Sequence, residues 1–277
     1  VTSTDYTDAL NRHYGRQGLV ARITTALRAM GKDMTSLAVE DLAPVDQFHV
    51  GGRDATLGLA RLAEIRPEDR VLDVGGGLGG AARTLASGIG CHVTVLDLTE
   101  EFCRAGAELT RHTGLADRVS FQHASAVDMP FDAERFDVAW TQHSSMNIED
   151  KPRLYAEIHR VLRPGGRLAI HEIVQGRVTP FHLPVPWARE GTLSFLAEPG
   201  AMRAGIAAAG FEERVWTDVS AASLAWFRRR VDAVSQRPSP LGLQLVLGVD
   251  VRPMMANLVR NLEEDRIAIV EGVWRRA

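Results

Sequence analysis

The chain has 277 residues, of which 45% are hydrophobic and 24% charged, and its formal net charge is −3. Such a chain buries a full core without disulfides or metals, and the balanced charge argues against a surface built mainly to hold nucleic acid. Two cysteines, Cys91 and Cys103, exclude a disulfide framework or a cysteine-rich zinc site and read as buried, reduced thiols of a cytoplasmic protein. No apolar run approaches the roughly 18–20 residues of a membrane helix, and Val1 to Asn11 lacks the basic-then-apolar layout of a signal peptide.

Leu10, Tyr14, Leu19, Ile23, Leu27 and Met30 recur at helical spacing, so one or two amphipathic helices are expected between Thr7 and Met30. Met34 to Asp54 reads as turn-rich, and a helix over Ala55–Ile65 follows. Strands are predicted at Arg70–Val74, His92–Asp97, Val119–His123, Phe136–Thr141 and Arg167–Ile173. Helices lie between them at Ala81–Ser87, Glu100–Thr113 and Lys151–Val161, and Leu162–Gly166 reads as a helix stop and tight turn. This alternation predicts right-handed βαβ units in a mostly parallel sheet. Beyond it come a Pro- and aromatic-rich stretch, Gln175–Gly200, and a helix at Ala201–Ala209. Strands near Phe211–Thr217 and Ile267–Arg275 follow, split by a helical insertion at Ala221–Asn261. The expected organisation is a helical cap over 1–54 and an α/β core over 55–277, with lid insertions near 175–200 and 221–262. Insertions of this size beside strand ends commonly wall a substrate site.

The stretch from Val71 to Gly80 carries the most information. An apolar strand runs into Gly75, Gly76, Gly77, Gly79 and Gly80, then into a helix. Such a turn lets a ligand approach the main chain with no Cβ in the way. Asp97 ends the next strand, where a carboxylate can accept both ribose hydroxyls of a nucleoside. Gly75, Gly77 and Gly80 also satisfy G-x-G-x-x-G, so a dinucleotide is one reading. Asp73 argues against it. By strand periodicity Asp73 shares a face with Val71 and Gly75, where its carboxylate would repel a pyrophosphate. It would attract the ammonium and sulfonium of S-adenosylmethionine.

These residues resemble the class I S-adenosylmethionine-dependent methyltransferases. The resemblance is carried by Asp73–Gly79, Val95-Leu96-Asp97-Leu98, Met129-Pro130-Phe131, Phe136–Trp140 and Leu162–Gly166, in family order. It implies a Rossmann-like seven-stranded sheet, mostly parallel, with helices on both faces and a helical cap. It also implies S-adenosylmethionine as cofactor and methyl transfer to a nucleophile. Ala43–Gly52, Thr141–Ile148 and Pro184–Ala188 are similar to the sarcosine/dimethylglycine methyltransferase-like subgroup, whose members act on many small molecules. The cofactor residues implied are Asp73, Gly75, Gly77, Gly79, Asp97, Leu98, Ser125, Ala126 and Gln142. Ser125 stands where relatives usually carry an acid, and its hydroxyl can still bond an adenine amino group. Related sugar O-methyltransferases carry a His pair where Met146 and Asn147 stand here, and an acid where Glu172 stands. A neutral amine needs no strong base, so N-methylation leads O-methylation slightly, with C-methylation third.

His143 and Glu172, at the ends of the fourth and fifth strands, are the candidate catalytic residues. His143 is read either as a general base or, with Gln142, as a wall of the cofactor pocket. His49 and Trp187 are candidate substrate contacts, set against plain structural roles. His159 and His171 make no metal site by spacing, and none is expected. A Thr141-Gln142-His143-Ser144 sequence lacks the Asn/Asp-Pro-Pro-Tyr/Phe type motif of many nucleic-acid methyltransferases. The expected partner is therefore a small-molecule acceptor, with no nucleic acid and no membrane, and with self-association into a homo-oligomer left open. A cofactor-binding protein with a non-methylating reaction would carry the same binding motifs.

Overall fold

A computed structural model describes residues 9, 10, 13, 14, 18–235, 239–248 and 250–277, with side chains of 230–235 left aside. The helices α1 (Leu19–Ala29), α2 (Val39–Asp46) and α3 (Gly52–Leu62) precede the sheet. Strands and helices then alternate as β1 (Arg70–Val74), α4 (Gly80–Ile89), β2 (His92–Asp97), α5 (Glu100–His112), β3 (Val119–His123) and β4 (Phe136–Gln142). After β4 come α6 (Lys151–Val161), β5 (Leu162–Gln175), α7 (Pro199–Ala208) and β6 (Phe211–Asp218). The chain closes with α8 (Ser220–Ser235), α9 (Gln244–Leu247), α10 (Val251–Glu263) and β7 (Ile267–Arg276).

The sheet order is β3-β2-β1-β4-β5-β7-β6. β1 to β5 are parallel, and β7 runs antiparallel between β5 and β6. The order reverses at β1, whose neighbours are β2 and β4. A ligand crevice opens at such a reversal, beyond the carboxyl ends of the strands. Period-two alternation sends Val71, Val93, Val95, Val138 and Trp140 to one face, where they pack against Leu59 and Ala60 of α3 and Ala82 and Leu85 of α4. The opposite face carries Leu72, Val74, Leu96, Leu168 and Ile170 against Leu154 and Ile158 of α6 and Ile206 of α7. Both faces are covered, which is why these strands read as apolar runs.

Two departures from the sequence reading concern chain-breaking residues. The stretch read as turn-rich contains α2, with Pro44 inside it. Asp41 accepts a hydrogen bond from the Ala38 N–H at 3.1 Å, and Leu42 and Val45 are fully buried in one cluster with Ile23 and Leu27 of α1. Tertiary burial thus outweighs the breaker. Leu162–Gly166, read as a turn, begins β5 instead: Leu162 pairs with Phe136, and an irregularity between Phe136 and Val138 absorbs the extra residues. α6 matches its expected bounds, with the Asp150 side chain accepting from the Arg153 N–H at 2.9 Å as its N-cap.

A buried ion pair and an apolar cluster tie α1 and α2 to α4 and α5. Arg83 of α4 reaches Asp46 of α2 at 2.8 Å, with both side chains fully buried. Arg83 also donates to the carbonyls of Leu78 and Gly106 and to Thr110 Oγ1. Val185, Trp187, Phe227 and Leu258 pack against Ile267 and Ile269 of β7 in a further apolar cluster. Parts of the expected cap and insertions (1–8, 11, 12, 15–17, 236–238 and 249) lie outside the described residues.

Candidate active site

The glycine loop leaves β1 under two steric demands. Gly75 has φ of 71°, and a Cβ there would meet Ser144 Cβ at 2.5 Å. A Cβ on Gly76 would lie 2.5 Å from Asp73 Oδ2, so the loop folds directly over that carboxylate. Asp97 closes the loop from β2. Its Oδ2 accepts from the Gly77 N–H at 2.8 Å, and its Oδ1 accepts from the Thr99 N–H at 2.8 Å. Each oxygen keeps a second lone pair for a hydroxyl donor. Asp73 is 1% exposed, and its Oδ2 has no hydrogen-bond partner among the described residues. Burial, followed by the neighbouring Asp97 charge, pushes its carboxyl up to about 7. Burial pushes the Asp97 carboxyl up as well. An unpaired buried carboxylate beside a bare main-chain loop suits a ligand that presents a cation and a pair of hydroxyls.

The adenine-side candidates are arranged more modestly. Ser125 Oγ accepts from the Val127 N–H at 3.3 Å, which holds the turn after β3. Ala126 packs against the α6-side core. The Leu98 carbonyl contacts His123 Nε2 at 3.1 Å, while the Leu98 side chain is half-buried beside the apolar cluster of Val185 and Trp187.

At the end of β4 the side chains form a polar cluster. Gln142 Oε1 accepts from Thr56 Oγ1 at 3.2 Å and from Trp140 Nε1 at 3.1 Å, which leaves its buried Nε2 unpartnered. His49 Nε2 lies 3.0 Å from both the Gly52 carbonyl and Thr56 Oγ1. Thr56 spends its one proton on Gln142, so His49 Nε2 carries hydrogen and donates. His143 has φ of 51° and donates its backbone N–H to the His171 carbonyl at 2.9 Å. Its Nε2 is buried and unpartnered. The ring centres of His143 and His171 are 5.1 Å apart, and His49 lies 6.3 and 6.2 Å from them. Burial, then repulsion from neighbouring rings, lowers His49 to about 3 and His143 well below its usual value. These two are therefore neutral imidazoles at neutral pH.

Glu172 faces the other side of the sheet from His171. Its carboxylate accepts from the backbone N–H groups of Ser144 and Ser145 at 3.2–3.4 Å. That geometry makes it a positioning residue for the loop after β4, with Ser144 Oγ tying the same loop to the Val74 carbonyl at 2.8 Å. Trp187 is 1% exposed and donates from Nε1 to Ser194 Oγ at 2.9 Å. It belongs to the apolar cluster with Val185 and Phe227, and its carbonyl accepts from Asn147 Nδ2 at 2.9 Å. The sequence reading missed Asn147 as a junction: it also donates to the Leu193 carbonyl at 2.7 Å and accepts from Tyr14 Oη at 3.2 Å. It missed Lys151 too, whose half-buried ammonium donates to the carbonyls of Ser145, Ile148 and Phe195. Among the described residues no group of three His, Cys, Asp or Glu side chains is arranged to hold a metal ion.

Residues 72–170 match the family described as methyltransferase domain. The chain carries a class I methyltransferase domain. It is 31% identical over 203 residues to a glycine/sarcosine/dimethylglycine N-methyltransferase of Actinopolyspora halophila, covering 73% of this chain and 36% of that protein. Methyltransferase GfsG of Streptomyces halstedii is 33% identical over 168 residues, 60% of each chain. The chain thus spans between about a third and three fifths of the length of these relatives. Further matches are named as O- and C-methyltransferases. The [4+2]-cyclase SpnF superposes with a TM-score of 0.67 at 24% identity, over 94% of this chain and 95% of that one. The matched residues hold the glycine loop and run from β1 into β5, and the cofactor of this family is S-adenosylmethionine.

Proposed function

We propose that the protein transfers a methyl group from S-adenosylmethionine to a small-molecule acceptor, with a nitrogen acceptor slightly favoured over oxygen. The observation that carries this reading is Asp73, a buried carboxylate with an unpaired oxygen under the glycine loop. Asp73, the loop Gly75 to Gly79 and Asp97 would hold the methionine and ribose parts. Leu98, Ser125, Ala126 and Gln142 would wall the adenosine end and its sulfur side. The cofactor supplies a methyl group already activated by its sulfonium. The chain's own residues then supply proximity and exclusion of water. His143 is the candidate base, Glu172 holds its loop, and His49 and Trp187 flank the acceptor side.

The nitrogen preference is supported by the N-methyltransferase relative and by Met146 and Asn147 standing where a His pair would assist a sugar hydroxyl. The alternative acceptor is a carbon nucleophile of a natural-product pathway. A non-methylating reaction in the same site is the second reading, since the cyclase SpnF shares this fold. Two buried free cysteines support a cytoplasmic location. Among the described residues no helix is long and apolar enough to cross a membrane. Isothermal titration with S-adenosylmethionine, followed by transfer of a labelled methyl group into a metabolite extract, tests the proposal. Labelled small molecules are the expected result. Absence of cofactor binding overturns it, and binding without any transfer selects the non-methylating reading.

A further inference from the structure

We propose that His143, His171 and Glu271 form a proton relay behind the methyl-transfer site, with His171 and Glu271 as positioning residues for the base. The inference rests on the methyl-transfer reading and extends it to His171 and Glu271, which lie outside the motifs that carry the family resemblance. β5 and β7 place the pair. His171 is opposite Gln142 of β4 on one side and opposite Glu271 of β7 on the other. These three side chains therefore share one face of the sheet, under α3.

The polar atoms of this cluster are the unusual feature. His143 Nε2, His171 Nδ1, His171 Nε2 and Gln142 Nε2 are all buried without a hydrogen-bond partner among the described residues. Leaving several such groups in a core is costly, and unpaired groups of this kind concentrate where chemistry needs them. His171 Nδ1 lies 3.1 Å from Glu271 Oε1, although off the line of a hydrogen bond. The titratable groups facing the cluster are His49 from the segment before α3, His143 after β4, His171 of β5 and Glu271 of β7. Thr56 and Gln142 add uncharged polar atoms. A single carboxylate among three imidazoles stabilises one added proton and opposes a second.

Methylation of an N–H or O–H acceptor forms the new bond to carbon while the sulfonium carbon–sulfur bond breaks with its electron pair left on sulfur. One proton leaves the acceptor in each turnover. His143 takes that proton on one ring nitrogen and gives up the proton held on its other ring nitrogen toward His171, so that each transfer leaves one proton on His143. With Nδ1–H turned toward Glu271, His171 offers Nε2 as the next acceptor, and Glu271 stabilises the imidazolium formed there. The role of Glu271 is thus to set the tautomer and orientation of His171.

Side-chain nitrogen–proton correlation spectra of the 15N-labelled full chain test this without any acceptor. At pH 7 the His171 ring is expected to carry hydrogen on Nδ1, facing Glu271, and Glu271→Gln should convert it to a mixture of the two tautomers. His171→Asn should leave His143 taking up its proton at higher pH, free of its neighbouring ring. A bare Nδ1 on His171, an unchanged tautomer in Glu271→Gln, or an unchanged His143 step in His171→Asn overturns the relay. Should a variant fold poorly, the wild-type tautomer decides by itself. Failure here leaves methyl transfer standing, because cofactor binding and label transfer are read separately.

Discussion

The carboxylates at the ends of β1 and β2 and the imidazoles at the ends of β4 and β5 lie on one face of one sheet, yet burial acts on them in opposite senses. It raises Asp73 and Asp97 toward their neutral acids and holds His49 and His143 as neutral bases. The low-dielectric interior disfavours whichever form is charged, so the two regions ask for opposite things. Carboxylates so placed suit a cation brought by a ligand, and neutral imidazoles suit a proton released by the proposed reaction. A site that binds a sulfonium compound and releases a proton needs both.

The largest expected effect breaks the imidazole side alone. On any acceptor identified by label transfer, His143→Ala should lower turnover about 10²–10⁴-fold, the usual contribution of a general base, with cofactor affinity retained. If the loss appears in the cofactor constant instead, His143 belongs to the carboxylate side of the comparison. The converse variant is Asp97→Ala, which should weaken S-adenosylmethionine binding by about 1.5–3 kcal/mol for charged hydrogen bonds lost in a buried site. Calorimetric titration reads that directly, and unchanged affinity would remove Asp97 from the cofactor site.

Stability against pH sharpens the contrast. The Asp73 pKa rises from 3.8 unfolded to about 7 folded, so its contribution is full below pH 3.8 and is lost as pH rises toward 7. The His49 pKa falls from 6.5 to about 3, so its contribution is full above pH 6.5 and is lost as pH falls toward 3. Relative to wild type, Asp73→Asn should therefore gain in Tm as pH rises between 4 and 7, whereas His49→Asn should gain as pH falls through the same range. Melting curves at several pH values check both slopes, and slopes of the same sign would show that burial does not separate the two regions. The smallest effect is expected at the lid. Trp187→Ala should raise the acceptor KM and leave that of S-adenosylmethionine nearly unchanged, as steady-state kinetics with each substrate varied would reveal.

Much of this arrangement is visible in the chain itself. The strands expected at Arg70–Val74, His92–Asp97 and Val119–His123 coincide with β1, β2 and β3; the signal is most nearly continuous in β1, which is buried between two neighbours, and alternates in β3 at the sheet edge. Gly75 to Gly80 and Asp97 mark the carboxylate side through local spacing. α2 escaped notice because Pro44 and nearby polar residues suggest turns, while its support comes from α1 and from Arg83, far along the chain. β5 was read too short for a similar reason: Pro164 and the glycines after it break a local pattern, but pairing with β4 carries the strand through them.

The sequence by itself determined the sheet, its order of elements and the carboxylate half of the site, since those depend on short-range periodicity and on neighbours within one βαβ unit. Only the tertiary structure decided the imidazole half. His49, His143, His171 and Glu271 come from four separate segments, and no spacing along the chain links them. Register between β4, β5 and β7 puts Gln142, His171 and Glu271 on one face, and His49 and His143 are brought beside His171 from the segments before α3 and after β4. The same packing turned Glu172 to the other face, where two backbone N–H groups occupy it. A difference of one residue along β5 thus separates a side chain beside the candidate base from one that holds its loop, because successive strand residues point to opposite faces.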